Sequence, residues 1–124
     1  MKTLRIGIAS YEEMKARTID VAAGRVKVRR DDPTVWFPSL DSVAKVLSEK
    51  NKALLELIAK ERPASLTELE RLSGRAKSNL SRSLRTLERY GLVELHRMPD
   101  GKLAASVPFD RIALDMPLVT SRAA

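Results

Sequence analysis

The stretch LTELERLSGRAKSNLSRSLRTLERYGLVEL, residues 66–95, decides the fold of this chain. It reads as a short helix, a glycine turn, a longer helix and the start of a strand. Ser65 and Glu68 form an S-x-x-E capping box ahead of it, in which each side chain satisfies an orphan backbone N–H. Leu66, Leu69 and Leu72 give the short helix its apolar side, and Gly74 closes it. The longer helix follows Arg75 and Ala76 and runs to about Tyr90, where Gly91 ends it. At 100° per residue, Leu84 and Leu87 fall within about 40° of Leu80. Ser78, Arg82, Arg85 and Arg89 fall on the opposite side, at about 140° to 200°. One face is aliphatic, the other three arginines and a serine, and Glu88 is the only acid in the helix.

Beyond the helix, Val93–Met98 and Leu103–Val107 read as two strands joined by Pro99-Asp100-Gly101-Lys102, whose Asp-Gly pair marks a tight hairpin. Upstream of the quoted stretch, Leu54, Leu55, Ile58 and Ala59 form the apolar stripe of a core-facing helix from Asn51 to Glu61, which Pro63 ends. Ser39 caps an earlier helix carrying Leu40, Val43, Ala44 and Leu47. Ser48 to Lys52 holds no strong breaker, so the two are either one bent helix or two. Helix, short helix, turn, basic helix and hairpin make the winged helix-turn-helix layout. In it the basic helix fits the major groove, about 12 Å wide, and the hairpin touches the flanking backbone.

The outer segments add a frame. Leu4–Ala9 reads as a short strand. Ser10 and Glu13 form a second capping box, opening a helix with Tyr11, Met14, Val21 and Ala22 on one side and Gly24 as its stop. Arg25–Arg30, with Val26 and Val28 alternating with basic residues, reads as a strand with one wet face. Asp31-Asp32-Pro33 is a turn, and Val35-Trp36-Phe37-Pro38 is the only aromatic cluster. Pro108 ends the hairpin. Phe109, Ile112, Leu114, Met116 and Leu118 are spaced for a docked extended arm before a polar tail. The expected class is α+β, mostly α: a winged helix-turn-helix over 39–108, a strand-helix-strand extension over 1–38, and a C-terminal arm over 109–124.

Charge points to the partner. The 124 residues carry a net +7. Residues 75–98 hold six basic and two acidic residues, a net +4 in one short segment. Residues 1–38 hold a net +3, and residues 39–74 and 99–124 are each neutral. A basic balance fits nucleic acid, an anionic membrane or an acidic protein. No apolar run approaches the roughly 20 residues that span a bilayer. MKTLRIGIAS lacks the apolar region and cleavage site of a signal peptide. The expected compartment is the cytoplasm, with which the absence of cysteine is compatible.

Arginine pairs bidentately with guanine, and asparagine with adenine. Ser78, Asn79, Ser81, Arg82 and Arg85 are therefore the candidates for base contacts. Arg75, Lys77 and Arg89, with Arg97 and Lys102 on the hairpin, are the candidates for DNA backbone contacts. An enzyme is not expected: there is no cysteine, one histidine and no glycine-rich phosphate loop. His96 shares a strand face with Glu94 and reads as solvated or structural. No cofactor or metal is expected.

The quoted stretch resembles the reader of MarR-like winged-helix transcription regulators. The likeness lies in S-x-L-S-R-x-L-x-x-L-E after a glycine turn, with G-L-V opening the first hairpin strand. More narrowly, Val35–Leu40, Val46–Asn51 and Pro108–Ile112 resemble a family of short prokaryotic proteins assigned to DNA binding. Its members often resemble the antitoxin of Tum-type toxin–antitoxin pairs. The resemblance implies double-stranded DNA as partner, a repressor's role, and a cognate toxin. The rival class is a protein–protein module whose winged helix binds an acidic partner. A homodimer is the expected assembly, because such readers pair on palindromic sites. Leu4–Pro38 and Phe109–Leu118 are the spare material, which either forms that interface or simply covers the core of the winged helix.

Overall fold

The computed structural model describes residues 2–119. In chain order the elements are β1 (Thr3–Ile8), α1 (Tyr11–Ala22), β2 (Val35–Phe37), α2 (Leu40–Val46) and α3 (Glu49–Glu61), then α4 (Leu66–Ser73), α5 (Lys77–Arg89), β3 (Glu94–Arg97), β4 (Leu103–Ser106) and β5 (Arg111–Asp115). The class is α+β, with more helix than strand. The polar tail from Thr120 onward lies outside the described residues.

Serines set most of the helix starts. Ser10 and Glu13 close a reciprocal capping box on α1. Ser48 accepts from the Asn51 N–H and caps α3, which begins at Glu49 after α2 has stopped at Val46, so the 39–61 stretch is two helices. Ser65 accepts from the Glu68 N–H at 3.2 Å, but the Glu68 carboxylate reaches back to the Ala64 N–H instead of that of Ser65. Only half of the expected box forms there.

The strands make two sheets. β3 and β4 pair antiparallel as a hairpin, with Leu95 opposite Ala105 and Arg97 opposite Leu103. The other sheet is parallel, in the order β2-β1-β5. The first and last described strands therefore lie side by side, with Leu4 beside Ile112 and Ile6 beside Leu114. Within the expected C-terminal arm, Arg111–Asp115 is a strand of this sheet.

The strand expected at Arg25–Arg30 is absent. That segment is turn and loop, with Val26 and Val28 37% and 66% exposed. Alternation supplied the pattern of a strand but no apolar surface to dock on. The free edge of β1 is taken by Val35–Phe37, whose Phe37 is fully buried and stacks on Tyr90 at 4.4 Å between ring centroids. The loop holds itself in place. The Asp32 carboxylate accepts from the Arg29 N–H at 2.7 Å and from Arg17 Nη2 at 3.2 Å. These contacts, the Arg29 N–H first, hold the Asp32 carboxyl below its usual range.

One core joins all of this. Leu54, Leu55 and Ile58 of α3, Leu69 of α4 and Leu80, Leu84 and Leu87 of α5 pack with Leu92, Val93 and Ala105. Ile6 of β1, Phe37 of β2 and Phe109 belong to the same cluster. Each of the leucine, isoleucine, valine and phenylalanine side chains contributes about 1.5–3 kcal/mol on burial. By contrast α1 buries no residue, and its Tyr11 and Ile19 are 78% and 52% exposed.

Candidate nucleic-acid interface

The site starts with the turn that aims α5. Gly74 ends α4 at φ 71°, a left-handed conformation that L side chains adopt only at a cost. The chain reverses there, and α5 begins at Lys77. Leu80, Leu84 and Leu87 are the buried residues of α5, so the helix is pinned by that one stripe. Ser78, Asn79, Arg82, Arg85 and Arg89 are exposed, and Ser81 is half-buried. The periodicity that fixed the aliphatic side thereby fixes which side chains face outward.

The start of α5 differs from the other helix starts. Ser10, Ser39, Ser48 and Ser65 cap α1 to α4 with a side-chain oxygen. Ala76 at the head of α5 offers none, and no acid lies in the first turn. Its first N–H groups are left for an external acceptor, at the end where the helix dipole favours an anion. Lys77 stands exposed beside them. The signal is legible in the sequence, since alanine is a poor N-cap, but it concerns backbone donors and not side chains.

The remaining predicted residues separate into groups. Ser81, Arg85 and Arg97 are brought together with Leu66, Glu88 and Leu95 around a groove of about 330 Å³ between α5 and the hairpin. Arg97 Nη1 also donates to the Gly101 carbonyl at 2.9 Å, which ties the strand to the loop tip. Lys102 is exposed at that tip, and its backbone N–H donates to the Asp100 carboxylate at 2.9 Å. Arg89 lies at the far end of α5, in a shallow groove with Val35, Trp36 and Tyr90.

Arg75 is placed differently from the other cations. Its Nη2 donates to Ser83 Oγ at 2.7 Å, and its Nη1 is buried without an acceptor. The guanidinium lies back along α5 instead of reaching outward. No pattern in the sequence announced this, because the Ser83 contact depends on how sharply the chain turns at Gly74.

Electrostatics favour an external anion. Among the described residues the ion pairs are Arg17–Asp32, Arg25–Asp20 and His96–Glu94. None engages Lys77, Arg82, Arg85, Arg89 or Lys102. His96 is exposed, with Nε2 2.7 Å from Ser106 Oγ. It also lines a concavity of about 680 Å³ with Ile58, Arg62 and Phe109, to which none of the ten predicted contact residues contributes. Among the described residues, no group of three or more His, Cys, Asp or Glu could hold a metal ion, and no helix is long and apolar enough to cross a membrane.

Residues 46–114 match the model of the HVO_A0114 family, and the chain belongs to that family. The matched span begins at the last residue of α2 and takes in α3, α4, α5, the hairpin and most of β5. No curated protein and no solved structure matches the chain.

Proposed function

We propose that this chain is a sequence-specific DNA-binding transcription regulator, acting as a repressor, in which α3 to β4 form a winged helix-turn-helix. In this reading α5 lies in the major groove and β3–β4 is the wing on the flanking backbone. What carries this reading is the exposed face of Ser78, Arg82, Arg85 and Arg89, which makes no ion pair among the described residues and lies opposite the buried Leu80, Leu84 and Leu87. The uncapped start of α5 supports it with backbone donors suited to a phosphate. The role is binding, not catalysis, and the compartment is the cytoplasm.

The sequence resemblance to Tum-type antitoxins extends the proposal to a toxin–antitoxin operon, with this chain as autorepressor and as partner of a cognate toxin. A titration of a fluorescent duplex bearing the chain's own promoter, against a random duplex and across salt concentration, tests the DNA reading. Specific binding at least about 10³-fold tighter than random is expected, falling steeply with salt. Equal affinity for both duplexes, together with capture of an acidic protein, would favour the protein–protein module instead.

A further inference from the structure

β5 leaves the parallel sheet open on one side. It is outermost in the order β2-β1-β5, so alternate N–H and C=O groups along Arg111–Asp115 point away from β1. Among the described residues, no backbone hydrogen bond outside the sheet involves this strand. Its apolar side chains are open too. Ile112 and Leu114 are 36% and 45% exposed, and Met116, Leu118 and Val119 continue the strip at 41%, 95% and 76%. Ile112 and Leu114 lie in register with Leu4 and Ile6. They share the sheet face that packs on the core, yet extend beyond what the core covers.

The strand is also complementary to its own reverse. It reads Arg-Ile-Ala-Leu-Asp. Two copies paired antiparallel about Ala113 set Arg111 against Asp115 twice and Ile112 against Leu114 twice. A slip of register breaks both ion pairs, and a parallel pairing would set arginine beside arginine. Like charges directly opposite on paired strands are destabilising. Neither Arg111 nor Asp115 has an ion-pair partner within the described chain, so both are available to another molecule.

We propose that a second copy of this chain docks here, β5 against β5, on a two-fold axis through Ala113 that merges two three-stranded sheets into one of six. Exposed edge, apolar strip and self-complementary charge converge on the same five residues. The inference stands apart from the DNA reading. If both hold, the dimer carries two α5 helices related by two-fold symmetry, as a palindromic site requires.

Light scattering on the full chain, with charge-swapped variants, tests it. The unaltered protein is expected to be a dimer at micromolar concentration. Arg111→Asp and Asp115→Arg each set like charges opposite one another at two symmetric positions and weaken the dimer by about tenfold or more. The double variant R111D/D115R restores it. A cysteine at the axis gives an independent readout, because the chain has none of its own. Opposed Cα atoms on antiparallel strands lie about 4.5–5.5 Å apart, within the reach of a disulfide. Ala113→Cys should therefore cross-link on mild oxidation, whereas Ala23→Cys, exposed beyond α1, should not. A monomeric chain, or a dimer indifferent to both single swaps and not cross-linked through Ala113→Cys, overturns the proposal. So would pairing of this edge only with a different protein.

Discussion

At the residue scale, the cations around α5 differ in what they are free to do. Arg82 is exposed on the outward face of the helix, where a guanidinium can pair with one guanine. Arg82→Ala is expected to cost about 1–3 kcal/mol on the specific site and to relax the preference at one base position. Lys102 sits exposed at the hairpin tip, where under the proposed DNA reading its charge would meet phosphate. Lys102→Ala should weaken all sequences alike and flatten the salt slope by about one unit. Titration of a panel of single-base variants of the site separates the two effects, and identical losses across the panel for Arg82→Ala would contradict the assignment. Arg75 makes the contrast. Its Nη2 is held by Ser83 Oγ, so Arg75→Ala is expected to remove a hydrogen bond worth about 1 kcal/mol of stability. The salt slope should stay unchanged. Thermal unfolding beside the salt titration checks this, and a slope reduced by one unit would make Arg75 a phosphate contact after all.

At the element scale, the turn at Gly74 governs the presentation of α5. A Cβ at this position would meet nothing within 4 Å, so the cost of a side chain is conformational, arising from φ 71°. Gly74→Ala should therefore lower stability by about 1–2 kcal/mol, read as a reduced midpoint in denaturant; an unchanged midpoint would mean that the turn relaxes. The elements that were legible in the sequence are those whose signals are local. Ser10 with Glu13, Leu80 with Leu84 and Leu87, and Asp100-Gly101 each predict a structure within a few residues of themselves, and each does so here. Two features required knowledge of a distant neighbour. Val26 and Val28 alternate as a strand would, yet Val35–Phe37 occupies the edge of β1, because Phe37 fills the space beside Tyr90. Ile112 and Leu114 showed an extended apolar arm, but nothing near them announced that β1, more than a hundred residues earlier, would be their partner. The outward face of α5 was legible because it is the complement of the buried one. The inward fold of Arg75 was not, because it depends on a three-dimensional reversal.

At the scale of the whole molecule, the helices and hairpin from α3 to β4 and the flanking segments share one core. Ile6, Phe37 and Phe109 pack in the cluster that holds Leu80 and Leu84, and β5 pairs with no strand but β1 among the described residues. A fragment lacking residues 1–38 loses Ile6 and Phe37, each worth about 1.5–3 kcal/mol, and strips β5 of its partner. Its loss should therefore approach the total stability of a typical small domain, about 5–15 kcal/mol. The fragment is expected to lose cooperative thermal unfolding by circular dichroism; a sharp transition near that of the full chain would show the segment from α3 to β4 to be self-sufficient. In the proposed reading α5 is the surface that meets DNA. The most direct test is an amide chemical-shift map of the full chain titrated with its promoter duplex. The largest shifts are expected at the start and along the outward face of α5, from Lys77 to Arg89, with a second group at Arg97 to Lys102 and little change in α1. Shifts confined to α1 or the 25–32 loop, with α5 unmoved, would contradict it.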